Sequence, residues 1–256
     1  MTTTQAPAEA AVSLDGVTKV YGRGGEAVLA LDGLSLTVRP GEFVCLVGAS
    51  GCGKSTLLNL VAGLDSPSGG EITVAGGARP GLMFQESALF PWLSVGANVE
   101  LPLKLRKVGK AERRERVADL LRTVHLGDFG THRPHQLSGG MRQRVALART
   151  LALDTPVLLM DEPFGALDAM TRDILHDELE RIYLERELTV LFVTHNVREA
   201  ARLADRIVLL SSRPGRIIHE TVVDAPRPRR IDAPEVAAIA ADVTDRLRRE
   251  VIRHGQ

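Results

Sequence analysis

The stretch GEFVCLVGASGCGKSTLLNLVAG, residues 41–63, decides the architecture. Phe43 to Val47 form a short continuous apolar run bounded by glycines, the pattern of a strand buried on both faces. Leu57, Leu58, Val61 and Ala62 recur at helical spacing, which predicts a helix from about Lys54. Between them, GASGCGKST fits G-x-x-x-x-G-K-[ST], with Gly48, Gly53, Lys54 and Ser55 in the required places. Glycines permit the turn that aims successive N–H groups inward at an anion. The helix N-terminus adds about half a positive charge. The candidate phosphate contacts are therefore Gly48, Ser50, Gly51, Cys52, Gly53, Lys54, Ser55 and Thr56. Lys54 is placed to reach the β and γ phosphates of a nucleotide, and the Ser55 hydroxyl to ligate Mg²⁺. A glycine-rich turn before an ordinary helix would not require this many matched positions.

Working outward, two strand-like runs precede this unit, AVSLDGVTKVY and AVLALDGLSLTV, the second with a turn expected at Asp32–Gly33. SPSGG closes the unit on its other side. Residues 86–154 read as mostly helical: Val117, Leu120, Leu121 and Val124 share one face of an amphipathic helix, and another helix is expected after Ser138. Strand–helix alternation then returns with PVLLMDEP, a helix over 170–187, LTVLFVTH, a helix over 197–204, and RIVLLSS. Pro226 to Arg230 punctuate the chain before a last helix from about Pro234. Residues 1–10 are small and polar, a composition that predicts disorder.

A second chemical feature lies in PVLLMDEP. Four apolar residues end in two acids, and ligands of open α/β sheets bind at the carboxyl ends of strands. Asp161 is placed to hold Mg²⁺ through water, and Glu162 to orient and polarise an attacking water. An acid pair in an ordinary turn is the competing reading, and the phosphate loop upstream weighs against it.

Composition narrows the class. Lysine plus arginine equals aspartate plus glutamate, so the formal net charge is zero, without the basic excess of most nucleic-acid binders. The two cysteines, Cys45 and Cys52, suit reduced thiols better than a disulfide framework. No window carries the roughly 18 apolar residues of a membrane span, and the N-terminus has no signal-peptide pattern.

HQLSGGMRQR, residues 135–144, is a second segment suited to an anion: Ser138, Gly139 and Gly140 open a helix. Ser138 also fits a plain N-cap, a role that leaves the two glycines unexplained. Phosphate loop, LSGGMRQR and VLLMDEP together resemble the ATP-binding cassette (ABC) ATPases over roughly residues 12–220. The resemblance implies an α/β P-loop NTPase of the ABC type, with a mixed sheet core, an antiparallel β subdomain and an inserted α-helical subdomain. It implies an ATPase domain over 11–225, with its helical part at about 86–154, and a C-terminal helical extension over 226–256. Gln85 in MFQE is similar to that family's Q-loop glutamine, a contact for Mg²⁺ and water. Asp168 ending GALD looks like the D-loop, His195 in VTHN like the switch histidine, and Tyr21 in KVYG like the aromatic that stacks on adenine. A solvated amide, a structural histidine and a strand-packing tyrosine are the plain alternatives.

By the same resemblance, two cassettes face head to tail, and Ser138, Gly139 and Gly140 serve the ATP held by the partner subunit. One rigid sheet cannot wrap a γ-phosphate on all sides, so a second surface closes the site, and the two-fold arrangement gives two equivalent composite sites. A second, identical subunit is thus expected. Only 82 residues lie between Ser55 and Ser138, with no cysteine pair, which leaves no room for a long coiled coil or a zinc-binding insert. Membrane spans fused to the ATPase are missing too. What remains is a peripheral subunit on the cytoplasmic face of a membrane, bound to a transmembrane permease and served by a periplasmic or lipid-anchored solute-binding protein. FQESALFPWLSVGANV and SSRPGRI resemble the nitrate, sulfonate and taurine importers. Leu89, Phe90, Trp92 and Leu93 either line a groove for a permease helix or belong to the core of the helical insert. A cassette with a regulatory or nucleic-acid role and no membrane partner is the alternative class.

Overall fold

The computed structural model describes residues 10–22, 24–77 and 79–254, with the side chains of Gly25 and His254 left aside. The disorder expected at the N-terminus falls on residues 1–9, outside the described range. The chain forms two compact units, Met1–Pro80 with Leu188–Gln256, and Gly81–Glu187.

The first unit begins with β1 (Val12–Tyr21), β2 (Val28–Val38), β3 (Phe43–Val47), α1 (Lys54–Val61) and β4 (Gly69–Val74). The chain then enters the second unit. This comprises β5 (Gly81–Met83), α2 (Val95–Leu105), α3 (Lys110–Thr123), α4 (Gly139–Leu151), β6 (Val157–Asp161) and α5 (Ala169–Arg186). It returns to the first unit with β7 (Thr189–Thr194), α6 (Val197–Leu203), β8 (Arg206–Leu210), β9 (Ile217–Val222) and α7 (Pro234–His254).

In the first unit, β1 lies between β2 and β4, antiparallel to both. In the second sheet, β3 pairs in parallel with β7 on one side and β8 on the other, and β9 adds an antiparallel edge. All five residues of β3 are buried, which is why its sequence is continuously apolar rather than alternating. Val47 stands opposite Thr194, so β3 and β7 end together.

Two expectations need correction, and a third stretch, placed as expected, has a further role. Asp32–Gly33 is not a turn: β2 runs through it, with Gly33 at φ 59° and shifts of register against β1. The extra residues are absorbed as irregularities that keep both flanks on the core side. Gly69 and Gly70, read as the close of a unit, open β4, which pairs with β1. The stretch around Arg227 is an anchor rather than mere punctuation. Arg227 Nη2 donates to Asp205 Oδ1 at 2.8 Å, and the nearly buried Arg229 donates to the carbonyls of Val223 (3.0 Å) and Ala225 (2.8 Å). Asp205 Oδ2 in turn accepts from Phe43 N at 2.9 Å, where β3 begins. From this anchor α7 packs on α6, burying Val236, Ala240 and Val243 at helical spacing.

In the second unit β5 and β6 are parallel, with Met83 opposite Met160. Helix α2, which falls inside the stretch read only as mostly helical, starts at Ser94, whose Oγ accepts from Ala97 N at 3.1 Å. The fully buried Asn98 of α2 ties the segment before it, accepting from Phe90 N at 2.8 Å. Leu89, Phe90, Trp92 and Leu93 are not core: none is buried, and Trp92 is 65% exposed.

The first unit also holds a largely buried ion pair between Glu42 and Arg206. Glu42 Oε1 accepts from Arg206 Nε at 2.8 Å, with the Glu42 side chain 3% exposed. Burial by itself would raise the Glu42 carboxyl. Hydrogen bonds and charge from Arg206, helped by Arg39, outweigh it and hold the group below its ordinary value. A lowered carboxylate pKa stabilises the fold above the unfolded-state value, and that contribution fades as pH falls through the folded value. Replacing Arg206 by Met should therefore cost about 3 kcal/mol at pH 7, because a buried carboxylate loses its partner. The deficit, read from urea unfolding, should shrink as pH is lowered towards about 4, the ordinary carboxylate range. A pH-independent deficit would show that the ion pair is not its cause.

Candidate functional site

Each unit carries its own group of site residues. In the first, the loop between β3 and α1 closes around the Lys54 ammonium. Lys54 is 6% exposed, and its Nζ donates to the carbonyls of Gly48 (2.8 Å) and Ala49 (2.9 Å) and approaches Cys52 Sγ at 3.7 Å. Two glycines are required by space. A Cβ at Gly48 would stand 2.7 Å from Cys52 Sγ, and one at Gly53 would stand 2.7 Å from Leu31 Cδ2, with φ there already at 100°. Gly53 caps α1 with no side-chain hydrogen bond, so the first turn of the helix leaves its N–H groups to another acceptor. Ser50, Gly51 and Ser55 are exposed at this mouth, Thr56 is half-buried, and Cys52 is buried. The arrangement fits a polyphosphate: a helix start with a cation beside it, on a loop closely packed at Gly48 and Gly53.

His195 follows β7 directly and is exposed. Because Val47 and Thr194 are paired across parallel strands, His195 and the phosphate loop leave the sheet at the same edge, roughly one strand spacing of ~4.8 Å apart. The turn around it is pinned: Asn196 N donates to Thr194 Oγ1 at 2.9 Å, and Asn196 Oδ1 caps α6 through Arg198 N at 3.1 Å. Tyr21 ends β1 and is 41% exposed, so it does not pack inside the sheet. Its hydroxyl donates to Asp65 Oδ2 at 3.1 Å, and Lys19 Nζ lies 4.9 Å from the ring centroid. Lys19 also pairs with Asp65 at 2.6 Å, and that hydrogen bond, ahead of the one from Ser66 N, lowers the Asp65 carboxyl.

In the second unit, β5 and β6 deliver Gln85 and Asp161 to the same strand edge, since Met83 and Met160 are paired. Glu162 follows Asp161 with φ 43°, a left-handed conformation that costs a non-glycine residue energy and is characteristic of functional turns. Glu162 and Gln85 converge there. A Cβ at Gly165 would lie 3.7 Å from Glu162 Oε2 and 3.8 Å from Gln85 Nε2.

Helix α4 holds this loop from the other side. Gln143 Nε2 donates to the Gln85 carbonyl at 2.8 Å, and Arg149 donates to the carbonyls of Ala88 (2.7 Å) and Ser87 (2.9 Å). A cavity of about 490 Å³ opens among Gln85, Gly139, Arg142, Gln143 and Leu167. Ser138 is the N-cap of α4, with Oγ accepting from Met141 N at 3.2 Å, and it is exposed, its O–H still able to donate outward. Gly139 has room for a side chain, the nearest atom being Leu167 Cδ2 at 3.6 Å. Gly140 has none: a Cβ would collide with Thr171 Cγ2. Thr171 is fixed by Asp168, the N-cap of α5, which accepts from Thr171 Oγ1 at 2.7 Å and from Thr171 N at 3.0 Å. Those two bonds, the hydroxyl's first, hold the Asp168 carboxyl below its ordinary value. Asp168 is thereby engaged in the fold of the same chain.

Sequence reasoning assigned nothing to Gln143, Arg149, Gly165 or Thr171. Gln143 lies inside the quoted LSGGMRQR, but its contact, like those of the others, joins segments distant in sequence. Among the described residues no group of three or more His, Cys, Asp or Glu side chains is placed to hold a metal.

Known proteins resemble this chain in sequence and in fold. The model of a family described as ABC transporter matches residues 31–165. A nitrate import ATP-binding protein of Synechocystis is 48% identical over 206 residues, 78% of this chain and 77% of its own. A taurine import ATP-binding protein of Burkholderia pseudomallei is 46% identical, over 82% of this chain and 84% of its own. A solved dimeric structure of a bacterial ABC transporter cassette superposes with a TM-score of 0.75 at 37% identity, covering 84% of this chain and all of that one. Among the described residues no helix is long and apolar enough to cross a membrane.

The Gly140–Thr171 contact is testable. An alanine in a helix interior ordinarily stabilises relative to glycine. Here Gly140→Ala should instead cost about 1–3 kcal/mol by overpacking. Thr171→Ser removes the methyl and keeps the hydroxyl for Asp168, so Gly140→Ala/Thr171→Ser should recover most of the loss in denaturant unfolding. No recovery would mean that something other than this packing selects glycine.

Proposed function

The chain belongs to the ABC transporter family, and on that premise we propose that it is the nucleotide-binding subunit of an importer. It hydrolyses ATP at two composite sites between identical copies and drives uptake of a small oxyanion through a separate permease. The observation that carries this reading is the division of labour between the two phosphate-binding segments. The loop at Lys54 is a finished cradle, whereas Ser138 and Gly139 present donors at an exposed helix start. A helix start of that kind serves an anion brought by another molecule, and the dimeric cassette to which this chain is similar supports a second copy.

In this reading Lys54 exchanges its loop carbonyls for the β and γ phosphates, and the first N–H groups of α1 hold the same oxygens. Tyr21 offers the ring face not covered by Lys19 to the adenine. Ser55 of the first unit, and Gln85 and Asp161 of the second, are the residues that would offer oxygens to Mg²⁺, which would neutralise charge on the phosphates. Glu162 orients a water for in-line attack and takes up its proton, with the Gln85 amide beside it. His195, at the end of β7, donates to the γ-phosphate. The partner copy's signature segment covers the phosphate from the far side and excludes water. After hydrolysis the shared anion is split and the two copies separate. Similarity to nitrate and taurine import ATP-binding proteins supports assembly with a permease at the cytoplasmic face of the membrane. Those two names also support a small anionic solute of the nitrate or taurine type.

Glu162→Gln should bind ATP and lower turnover by about 10²–10⁴-fold, the range of a lost general base, while trapping a dimer visible by gel filtration. Lys54→Ala should weaken nucleotide binding by about 10–100-fold, the loss of one or two charge-assisted hydrogen bonds. Hydrolysis per molecule should fall as the protein is diluted. Constant specific activity down to concentrations where only monomer is present would exclude a composite site.

A further inference from the structure

The turn joining β8 to β9 lies against the back of the phosphate loop. A Cβ at Gly48 would stand 3.2 Å from the Leu210 carbonyl oxygen, at the end of β8. Arg213 Nε reaches the Gly51 carbonyl at 3.4 Å, and a Cβ at Gly51 would lie 3.6 Å from Arg213 Nη2. Gly215 passes so close to Cys52 that a Cβ there would collide with the Cys52 carbonyl oxygen. Gly215 N also donates to Ala30 O at 2.9 Å, the oxygen that a Cβ at Gly53 would approach to 3.0 Å. The turn thus abuts the loop from Gly48 to Gly53.

Its own shape is set by Ser211, whose Oγ donates to Pro214 O at 2.7 Å and accepts from Arg216 N at 2.8 Å. The next N–H, that of Ser212, is directed away from the turn. It donates to Oε1 of Glu250 at 3.1 Å, and Glu250 sits 7% exposed in the last turns of α7. Helix α7 is therefore fastened at two places. Arg227 and Arg229 hold the segment leading into it, and Glu250 holds the turn that backs the phosphate loop.

We infer that Glu250 and Arg213 are positioning residues for nucleotide binding: α7, acting through Glu250 and the 211–216 turn, sets the shape of the phosphate loop, and Arg213 locks the loop at Gly51. The inference rests on the loop being the nucleotide site. Its physical content is a coupling free energy between α7 and the loop, and such a coupling is reciprocal. What α7 does for nucleotide affinity, bound nucleotide must do for the stability of α7. A helix that was merely pinned in place would show neither effect.

The test uses the full chain and ADP as the probe. Calorimetric titration should give an ADP affinity about fivefold weaker for Glu250→Ala than for the unaltered chain, within the usual range of intramolecular coupling. Glu250→Gln, whose amide oxygen still accepts from Ser212 N, should stay within about twofold. Arg213→Ala should lose a similar factor to Glu250→Ala, and Arg213 is exposed, so this variant decides the matter if Glu250→Ala fails to fold. Hydrogen exchange in the last turns of α7 should slow on adding ADP to the unaltered chain and change little in Arg213→Ala. Affinities equal to the unaltered chain in both alanine variants, or exchange in α7 indifferent to ADP, would overturn the coupling. An equal loss in Glu250→Gln and Glu250→Ala would overturn the hydrogen bond as its route. Failure of the unaltered chain to bind ADP at all would remove the site assignment, and this inference with it.

Discussion

The phosphate loop is packed at a distance that side chains do not allow, and the rest of the first unit is organised to hold it there. Strand β3 is paired on both sides and buried on both faces, so the point at which the chain leaves the sheet after Val47 is fixed. From that point the loop must turn between Leu31, Leu210 and the 211–216 turn, and Gly48, Gly53 and Gly215 are the positions where a Cβ would meet an atom already present. A ring this tight draws its own carbonyls inward, and Lys54 satisfies them. The same ammonium that stabilises the loop in isolation is the charge a polyphosphate would engage, so structure and ligand draw on one group.

The second unit applies a different constraint. Helix α4 is both the presenter of Ser138 and the clamp on the Gln85 loop, through Gln143 and Arg149. Its first turn is pressed against α5 at Gly140, where Thr171 is oriented by Asp168. Residues that read along the chain as separate motifs are thus joined by Gln143, Arg149 and the Thr171–Asp168 pair. Glu162 adds backbone strain at the end of β6, tolerated because the surrounding turn, including the Gly165 N–H bond to the Glu162 carbonyl at 3.1 Å, determines it.

Legibility followed locality. The buried strands β3, β6 and β7 and the helices α1, α3 and α4 carry strong local patterns, and Ser138 announces its helix as a cap. Strand β4 was hidden because its two leading glycines look like a stop, and only pairing with β1 makes them a strand. Gly33 looks like a turn residue, yet its positive φ serves an irregularity inside β2, where Asp32 N finds the Gly215 carbonyl at 3.1 Å. The basic run near Arg227 reads only as punctuation until Asp205 is placed beside it. The motif residues at Lys54, Ser138, Asp161 and Glu162 were readable because their chemistry is compressed into short segments. The reasons for Gly140, Gln143 and Gly215 were not, because each is a close approach between segments remote in sequence.

Cys52 gives the loop a chemical clock. The residue is 1% exposed, and its sulfur lies against the position of Gly48, 3.7 Å from the Lys54 nitrogen. A thiol-directed reagent can meet that sulfur only when the ring gapes, while Cys45, the other thiol, is sealed inside β3. When gaping and reclosing are fast relative to modification, the rate of alkylation measures the population of the open ring. The native protein thereby contains its own single-site gauge of how firmly the cradle is shut.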